Sequence, residues 1–198
     1  TNDYIGFTYS LAFADVDGDG LDDILLAASN HDDGGTDNGA VYIILGSSLG
    51  SGGSINLSDA DYKFKGESSE DHAGRSVASA GDVDGDGLDD IIIGAVGDDD
   101  GGSNAGAAYI ILGSSLEDGG DYSLSSSDYK LVGEMSGGEA GFSTDSAGDV
   151  DGDGLDDVIV GAYNLRRSDG SCSGSECGAA YIVLGSSLGS TRSINLSE

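Results

Sequence analysis

The nine-residue segment DVDGDGLDD occurs three times in this chain, at residues 15–23, 82–90 and 149–157, and each copy starts 67 residues after the previous one. Every copy carries five carboxylates, which repel one another when a short loop confines them. A hard divalent cation relieves that repulsion. Ca²⁺ suits such a loop because it accepts about six to eight oxygen ligands at about 2.3–2.6 Å in irregular geometry. The repeated segment therefore predicts three Ca²⁺ sites.

The ligand register is the same in each copy. Asp stands at positions 1, 3, 5 and 9, Gly at position 6 permits a tight turn, and Leu at position 7 can supply its backbone carbonyl. The predicted ligands are Asp15, Asp17, Asp19, Leu21 and Asp23 in the first loop, Asp82, Asp84, Asp86, Leu88 and Asp90 in the second, and Asp149, Asp151, Asp153, Leu155 and Asp157 in the third. The position-8 carboxylates are expected to face outward or to lie behind the ligands; they are Asp22, Asp89 and Asp156.

The opening of each loop resembles an EF-hand, but the remainder does not. An EF-hand places a Glu at position 12 and a helix on either side of the loop. Here position 12 is Leu26, Ile93 or Val160, and the apolar, mostly β-branched run that follows each loop is typical of a strand. A dockerin-type loop fails for the same reason. Two interpretations remain, a calcium loop between strands and a solvated acidic turn without metal.

The charge of the chain excludes several classes of partner. The formal net charge is −30 over 198 residues, and so acidic a surface repels nucleic acid and anionic membranes. No apolar run approaches the roughly 18 residues that a membrane-spanning helix requires, so we expect no membrane insertion. The sequence is typical of a mature soluble segment from which any targeting sequence has been removed.

The two cysteines, Cys172 and Cys177, lie in the polar stretch SDGSCSGSECG. Two thiols alone do not form a zinc site, and their spacing differs from that of the redox motif CxxC. We predict a small disulfide that pins this loop, which implies an oxidising, extracellular compartment. Two free thiols are the alternative.

The repetition extends well beyond the acidic loops and predicts a repeat architecture. The first two units each have four candidate strands: one before the acidic loop, one after it, a Tyr-Ile run and an Asp-Tyr-Lys run, and the third unit has the first three of these. Repeated units of four short antiparallel strands predict an all-β chain of propeller blades, with boundaries at residues 1–67, 68–134 and 135–198. The WD40 and kelch patterns match poorly, and the chain has no Trp.

The run from Gly74 to Ala95, followed by residues 106–113, resembles the FG-GAP repeat of integrin α-subunit propellers and of related bacterial VCBS-type secreted proteins. The resemblance covers essentially the whole chain in three copies. It implies a β-propeller with Ca²⁺ in the hairpin loop between strands one and two, and thus on the twelve Asp named above. Arg75 stands where the family has the Phe of Phe-Gly, and the Pro of Gly-Ala-Pro is missing. These departures favour a bacterial-type relative over integrins proper.

The third unit is incomplete, because it lacks the Asp-Tyr-Lys strand. Closed propellers use about four to eight blades, so three blades belong to a longer array or assemble from several copies into a homo-oligomer or filament. The strand at about residues 181–184 would present an open edge, which is a template for pairing. We expect this edge to be paired, with Thr1 to Ile5 of a neighbouring copy as an available donor.

Antiparallel order places the acidic loops on one side of each blade and the loops between strands two and three on the other, where a protein or carbohydrate ligand or a neighbouring copy can bind. The third of these loops, which starts at Asn164, differs from the other two because it contains two Arg and the cysteine pair. Two interpretations of this difference are a specific contact with a ligand and a tolerated surface insertion. Neither His31 nor His72 accompanies a nucleophile pattern, so we predict no enzyme. The predicted function is an extracellular calcium-binding module with a structural or adhesive role. The alternatives are a propeller part of a polysaccharide-active enzyme and a lectin that uses Tyr163.

Overall fold

The computed structural model describes residues 11–50, 54–116, 119–164, 177–189 and 191–197. The regular structure of these residues is strand, apart from single-turn 3₁₀ helices, and none of the helices is long and apolar enough to cross a membrane. The strands are β1 (Leu11–Ala14), β2 (Asp23–Ala28), β3 (Ala40–Ile44), β4 (Tyr62–Lys65), β5 (Ala73–Gly81), β6 (Asp90–Ala95), β7 (Ala107–Ile111), β8 (Gly120–Ser123), β9 (Tyr129–Val132), β10 (Ala140–Gly148), β11 (Asp157–Ala162), β12 (Ala179–Val183) and β13 (Ser193–Asn195). The 3₁₀ helices are Gly46–Ser48, Leu57–Asp59, Gly113–Ser115, Leu124–Ser126 and Gly185–Ser187.

The strands form three sheets, one for each repeat. The first blade is β1-β2-β3-β4, the second is β5-β6-β7-β9, and consecutive strands within each blade are antiparallel. The third sheet has only β10-β11-β12 within the described residues. The predicted all-β architecture of propeller blades, with a last blade that lacks its outer strand, is confirmed.

Each complete blade gains a fifth strand from the following blade, which the sequence did not reveal. Strand β8 pairs in parallel with β4, and β13 pairs in parallel with β9. The apolar side chains of these added strands extend the contacts between blades, as where Tyr122 stacks on Phe64 with ring centroids 5.4 Å apart. Neighbouring blades are therefore joined by strand exchange as well as by face-to-face packing.

The core lies between the faces of successive blades. Leu25 on β2 packs against the second blade. Strand β6 of that blade contributes Ile91 and Ile93 to the same hydrophobic cluster. The alternate residue, Ile92, faces the third blade and packs with Val158. Both faces of β6 are covered, which explains why this strand is an unbroken apolar run rather than an alternating one.

Candidate metal centre

The three acidic segments form the loops between strands one and two of each blade, as predicted. Within the first loop, Gly18 and Gly20 have φ angles of 71° and 86°, in the left-handed region that favours glycine. Gly85 and Gly87 repeat this conformation in the second loop at 80° and 93°. The loop backbone therefore curls around its own acidic side chains at positions 1, 3 and 5.

Most of the predicted ligands converge in space. Three carboxylates of each loop bring an oxygen within 4.8 Å of one another, and these groups are Asp15, Asp17 and Asp19; Asp82, Asp84 and Asp86; and Asp149, Asp151 and Asp157. Positions 1, 3 and 5 thus meet in the first two loops. In the third loop, position 9 takes part in the cluster in place of position 5. The Leu carbonyls at position 7 stay predicted ligands.

Backbone amides of each loop hold the carboxylates in this arrangement. In the second loop, Asp82 Oδ2 accepts a hydrogen bond from Gly87 N–H at 2.9 Å, and Asp84 Oδ1 accepts one from Asp86 N–H at 3.1 Å. Asp86 Oδ1 in turn accepts from Leu88 N–H at 2.9 Å. Such local bonds from Asp side chains to nearby backbone amides are common in tight turns. They fix several negative oxygens close together before any cation is present.

One carboxylate oxygen in the first loop has no hydrogen-bond partner in the part of the chain that the structure describes. Asp15 Oδ1 is buried and makes no hydrogen bond within the described residues, while Asp15 Oδ2 accepts from Gly20 N–H at 3.0 Å. A buried carboxylate oxygen without a donor is unfavourable, and the carboxylates beside it only accept hydrogen bonds. A bound cation would satisfy this oxygen. Because the donor set is all oxygen and contains neither His nor Cys, it fits Ca²⁺ rather than zinc or copper.

The position-9 carboxylate has a further role, which spacing alone did not show. Asp23 is fully buried, and its two oxygens accept hydrogen bonds from Val16 N–H and from Gly46 N–H, both at 2.8 Å. Asp90 and Asp157 repeat both bonds in their own blades. This residue ties the acidic loop to the connection between strands three and four on the same side of the blade. Burial raises the pKa of Asp90 to about 7 despite these bonds, and a neighbouring cation would lower it.

The position-8 carboxylate links one loop to the next. Asp15 N–H donates to Asp89 Oδ2 at 3.1 Å, and Asp89 N–H donates back to the carbonyl of Asp15 at 3.2 Å. Asp82 and Asp156 form the same reciprocal pair between the second and third blades, at 3.0 Å in both directions. Sequence reasoning missed this contact. The signal available for it was the presence of Asp at position 8 in all three copies.

A second acidic cluster lies on the opposite side of the blades and contains its own cation. Lys130 Nζ is 2.8 Å from Asp98, 2.6 Å from Asp100 and 3.1 Å from Glu67. The hydroxyl of Tyr109 donates to Asp98 at 2.7 Å. Although burial opposes it, the hydrogen bonds to Asp100 and Asp98 raise the pKa of Lys130, which stays charged. This cluster is a protein ion-pair network rather than a metal site.

Several predicted features of the third blade fall outside the described residues. These are Cys172 and the two Arg of the loop after strand two, so the disulfide with Cys177 stays a prediction. Tyr163, the residue proposed for a lectin, is 49 % exposed and stacks on Phe142 at 4.8 Å. Arg75 lies over the Phe142 ring at 3.9 Å. The residue that replaces Phe in the second repeat therefore contacts the Phe of the third.

Known proteins are similar to this chain in sequence. The chain matches the FG-GAP repeat family over residues 7–44, 73–111 and 140–173, which include all three acidic loops. It is 35 % identical over 166 residues to integrin alpha-PS2 of Drosophila melanogaster, which covers 80 % of this chain and 11 % of that protein. It is 34 % identical over 168 residues to integrin alpha-5 of Xenopus laevis (80 % of this chain, 15 % of that protein) and 31 % identical over 168 residues to human integrin alpha-IIb (81 % and 15 %).

The matches cover only a small part of each relative. The chain spans only 11 to 15 % of the length of these integrin alpha relatives, so the similarity concerns the repeats and not the whole proteins. Over those repeats, the family match and the three sheets agree in number and in position. The chain belongs to the FG-GAP repeat family.

Proposed function

We propose that this chain is an extracellular, calcium-stabilised β-propeller module that presents its strand two–three loops to a protein ligand in adhesion. The observation that carries the calcium part is the convergence of three carboxylates in each acidic loop, among them Asp15, whose buried Oδ1 has no hydrogen-bond partner within the described residues. The similarity to integrin alpha subunits supports the adhesive part. We infer no catalytic role, because neither His31 nor His72 accompanies a nucleophile pattern in the sequence.

Calcium would act on the contacts between blades as well as on the loops. Asp15 is a predicted ligand through its side chain and is bonded through its backbone to Asp89 of the next loop. Leu88 of that loop also packs on Gly18, where an added Cβ would lie 2.6 Å from Leu88 Cδ2. A cation that orders one loop therefore also orders the surface on which the next loop rests. Metal that binds only the folded chain stabilises it by mass action.

Calorimetric titration tests the metal sites directly. We expect three Ca²⁺ per chain, and we expect a chelator to lower the melting temperature and added Ca²⁺ to restore it. Mg²⁺ should restore little, because it demands near-octahedral geometry and retains its waters. Asp84→Asn should reduce the stoichiometry to two, whereas Asp145→Asn, an exposed carboxylate on β10, should leave it at three. A melting curve that a chelator does not change would refute the proposal.

The adhesive role has its own test. Cells are allowed to attach to a surface coated with the calcium-loaded chain, and attachment is compared between two charge reversals. Asp32→Arg alters an exposed residue in a strand two–three loop, and Asp59→Arg alters an exposed residue on the opposite side. We expect only Asp32→Arg to reduce attachment. Equal attachment by both variants would place the ligand surface elsewhere.

A further inference from the structure

The three acidic loops are joined in series by hydrogen bonds that run from one blade to the next. At the first junction, Asp15 N–H donates to Asp89 Oδ2 at 3.1 Å, and Asp89 N–H donates to Asp15 O at 3.2 Å. Asp82 and Asp156 form the same two bonds at the second junction, both at 3.0 Å. In the part of the chain that the structure describes, no hydrogen bond joins the first loop to the third, which are therefore connected through the middle loop.

Each residue of the first junction belongs to, or stands beside, the predicted ligands of a calcium site. Asp15 is the position-1 ligand of the first loop, and its buried Oδ1 has no hydrogen-bond partner among the described residues. Asp89 stands between Leu88 and Asp90, the predicted ligands at positions 7 and 9 of the second loop. Asp90 is fully buried, and its carboxylate accepts two backbone hydrogen bonds that fix this end of the loop. The junction thus connects position 1 of one site to positions 7 and 9 of the next.

Close packing reinforces the hydrogen bonds between the loops. Leu155 of the third loop packs on Gly85 of the second, where an added Cβ would lie 2.9 Å from Leu155 Cδ2. A Cβ at Gly113 would lie 2.8 Å from the carbonyl oxygens of both Val16 and Asp89. Val16 is itself fully buried. Interiors packed this densely transmit small displacements, so the position of one loop affects the position of its neighbour.

We propose that Asp89 and Asp156 are positioning residues for the calcium site of the preceding loop, and that through them Ca²⁺ binds to adjacent loops with positive cooperativity. This coupling rests on the proposed calcium binding and extends it from the ligands to the neighbouring loop. Asp89 can hold the backbone of Asp15 only while its own loop is ordered. Ordering of either loop therefore removes part of the conformational entropy that binding at the other loop must overcome. Such coupling is reciprocal.

The sign of the coupling separates this mechanism from simple charge effects. A loop with five carboxylates keeps a net negative charge after one divalent cation binds, but it then attracts a cation to the neighbouring loop less strongly. Electrostatics alone therefore predicts independent or negatively cooperative sites. Positive cooperativity indicates ordering, most clearly at an ionic strength of about 0.15 M, where the Debye length is only about 8 Å.

The order of the loops provides the first test, in which Ca²⁺ alone is titrated calorimetrically into the full chain at about 0.15 M ionic strength. Asp84→Asn removes the middle site and leaves two sites that are not adjacent. Asp151→Asn removes the same position-3 carboxylate from the third loop and leaves two adjacent sites. We expect a Hill coefficient above one for Asp151→Asn and no higher than one for Asp84→Asn. In the Asp151→Asn chain, the first ion should raise the affinity for the second about fivefold or more.

The second test alters the junction and leaves every predicted ligand of the first two loops intact. In the Asp151→Asn chain, Asp89→Ala removes the acceptor for Asp15 N–H and should lower the Hill coefficient to one. Asp89→Asn keeps a side-chain oxygen that can accept this bond and should retain the cooperativity. Exchange of the Asp15 amide should be slower with Asn than with Ala. Asp22→Ala is the matched control, because Asp22 has the same position in the first loop but accepts no such bond within the described residues.

The outcomes distinguish this coupling from calcium binding itself. Equal cooperativity in Asp84→Asn and Asp151→Asn would overturn the proposal, because Ca²⁺ binding would then be coupled to folding of the whole chain rather than through adjacent loops. Independent sites in Asp151→Asn would also overturn it and leave the proposed function standing, since Ca²⁺ still binds. A chain that binds no Ca²⁺ would overturn both. Equal Hill coefficients for Asp89→Ala and Asp89→Asn would overturn the positioning role of Asp89.

Discussion

Replacing Lys130 by Met should be among the most damaging single changes in this chain. Lys130 is 8 % exposed and is the cation that contacts Asp98, Asp100 and Glu67. Met is similar to Lys in length and lacks the ammonium group, which donates to the three carboxylates and lies 5.1 Å from the centroid of the Tyr109 ring. The variant therefore reports the electrostatic contribution of this cluster rather than a loss of packing.

The magnitude follows from the burial of the partners. Asp98 is 3 % exposed, so removal of its cation leaves a buried carboxylate with neutral donors alone, the Tyr109 hydroxyl and Asp100 N–H, among the described residues. Breaking a buried ion pair by removal of one partner costs about 3–5 kcal/mol. In a chain of this length each kcal/mol lowers the melting temperature by about 2–4 °C, which predicts a fall of about 6–20 °C.

The first blade contains a matched control at the same strand position. Lys63 bonds to Asp33, whose side chain is 48 % exposed, and this bond lowers the pKa of Asp33. Exposed ion pairs contribute at most about 1 kcal/mol, so Lys63→Met should change the free energy of unfolding only slightly. Both variants are compared by denaturant unfolding in saturating Ca²⁺. Asp98→Asn added to Lys130→Met should recover part of the loss, and equal losses for Lys130→Met and Lys63→Met would refute this reasoning.

Two further changes test the links between blades and the buried acids. Asp89→Ala should cost about 1–3 kcal/mol, because it leaves Asp15 N–H unpaired, whereas Asp22→Ala, which has no such partner within the described residues, should change the melting temperature little. Burial raises the pKa of Asp71 from 3.8 to about 6. Between these two pH values, the folded chain retains a proton on Asp71 that the unfolded chain has released. Stability from this group should fall by about 3 kcal/mol as pH rises from about 4 to 7. Asp71→Asn should flatten that part of the curve, and parallel curves for the two proteins would show that Asp71 does not titrate in this range.

Sequence patterns were sufficient for the elements that repeat locally. The acidic loops, the strand after each loop and the missing outer strand of the third blade all follow from runs that recur at a fixed spacing. The added strands β8 and β13 were not predictable, because parallel pairing joins segments of different repeats and neither segment alternates strongly. The position-8 contact was missed because it also joins different repeats. Asp15 and Asp89 are 74 residues apart, and the recurrence of Asp at position 8 does not say which residue it contacts.

The distribution of cations explains why the two sides of the blades need different chemistry. The three lysines of the chain all lie in fourth strands, and each forms ion pairs with carboxylates, among them Asp33, Asp98 and Asp121. On the other side, the three acidic loops together hold fifteen Asp. No Lys or Arg within the described residues forms an ion pair with any of them. Self-repulsion on the first side is relieved by side chains of the protein, and on the second side we expect a bound metal ion to relieve it. We therefore expect the loops that tie one blade to the next to be the part of the fold whose stability depends most on calcium.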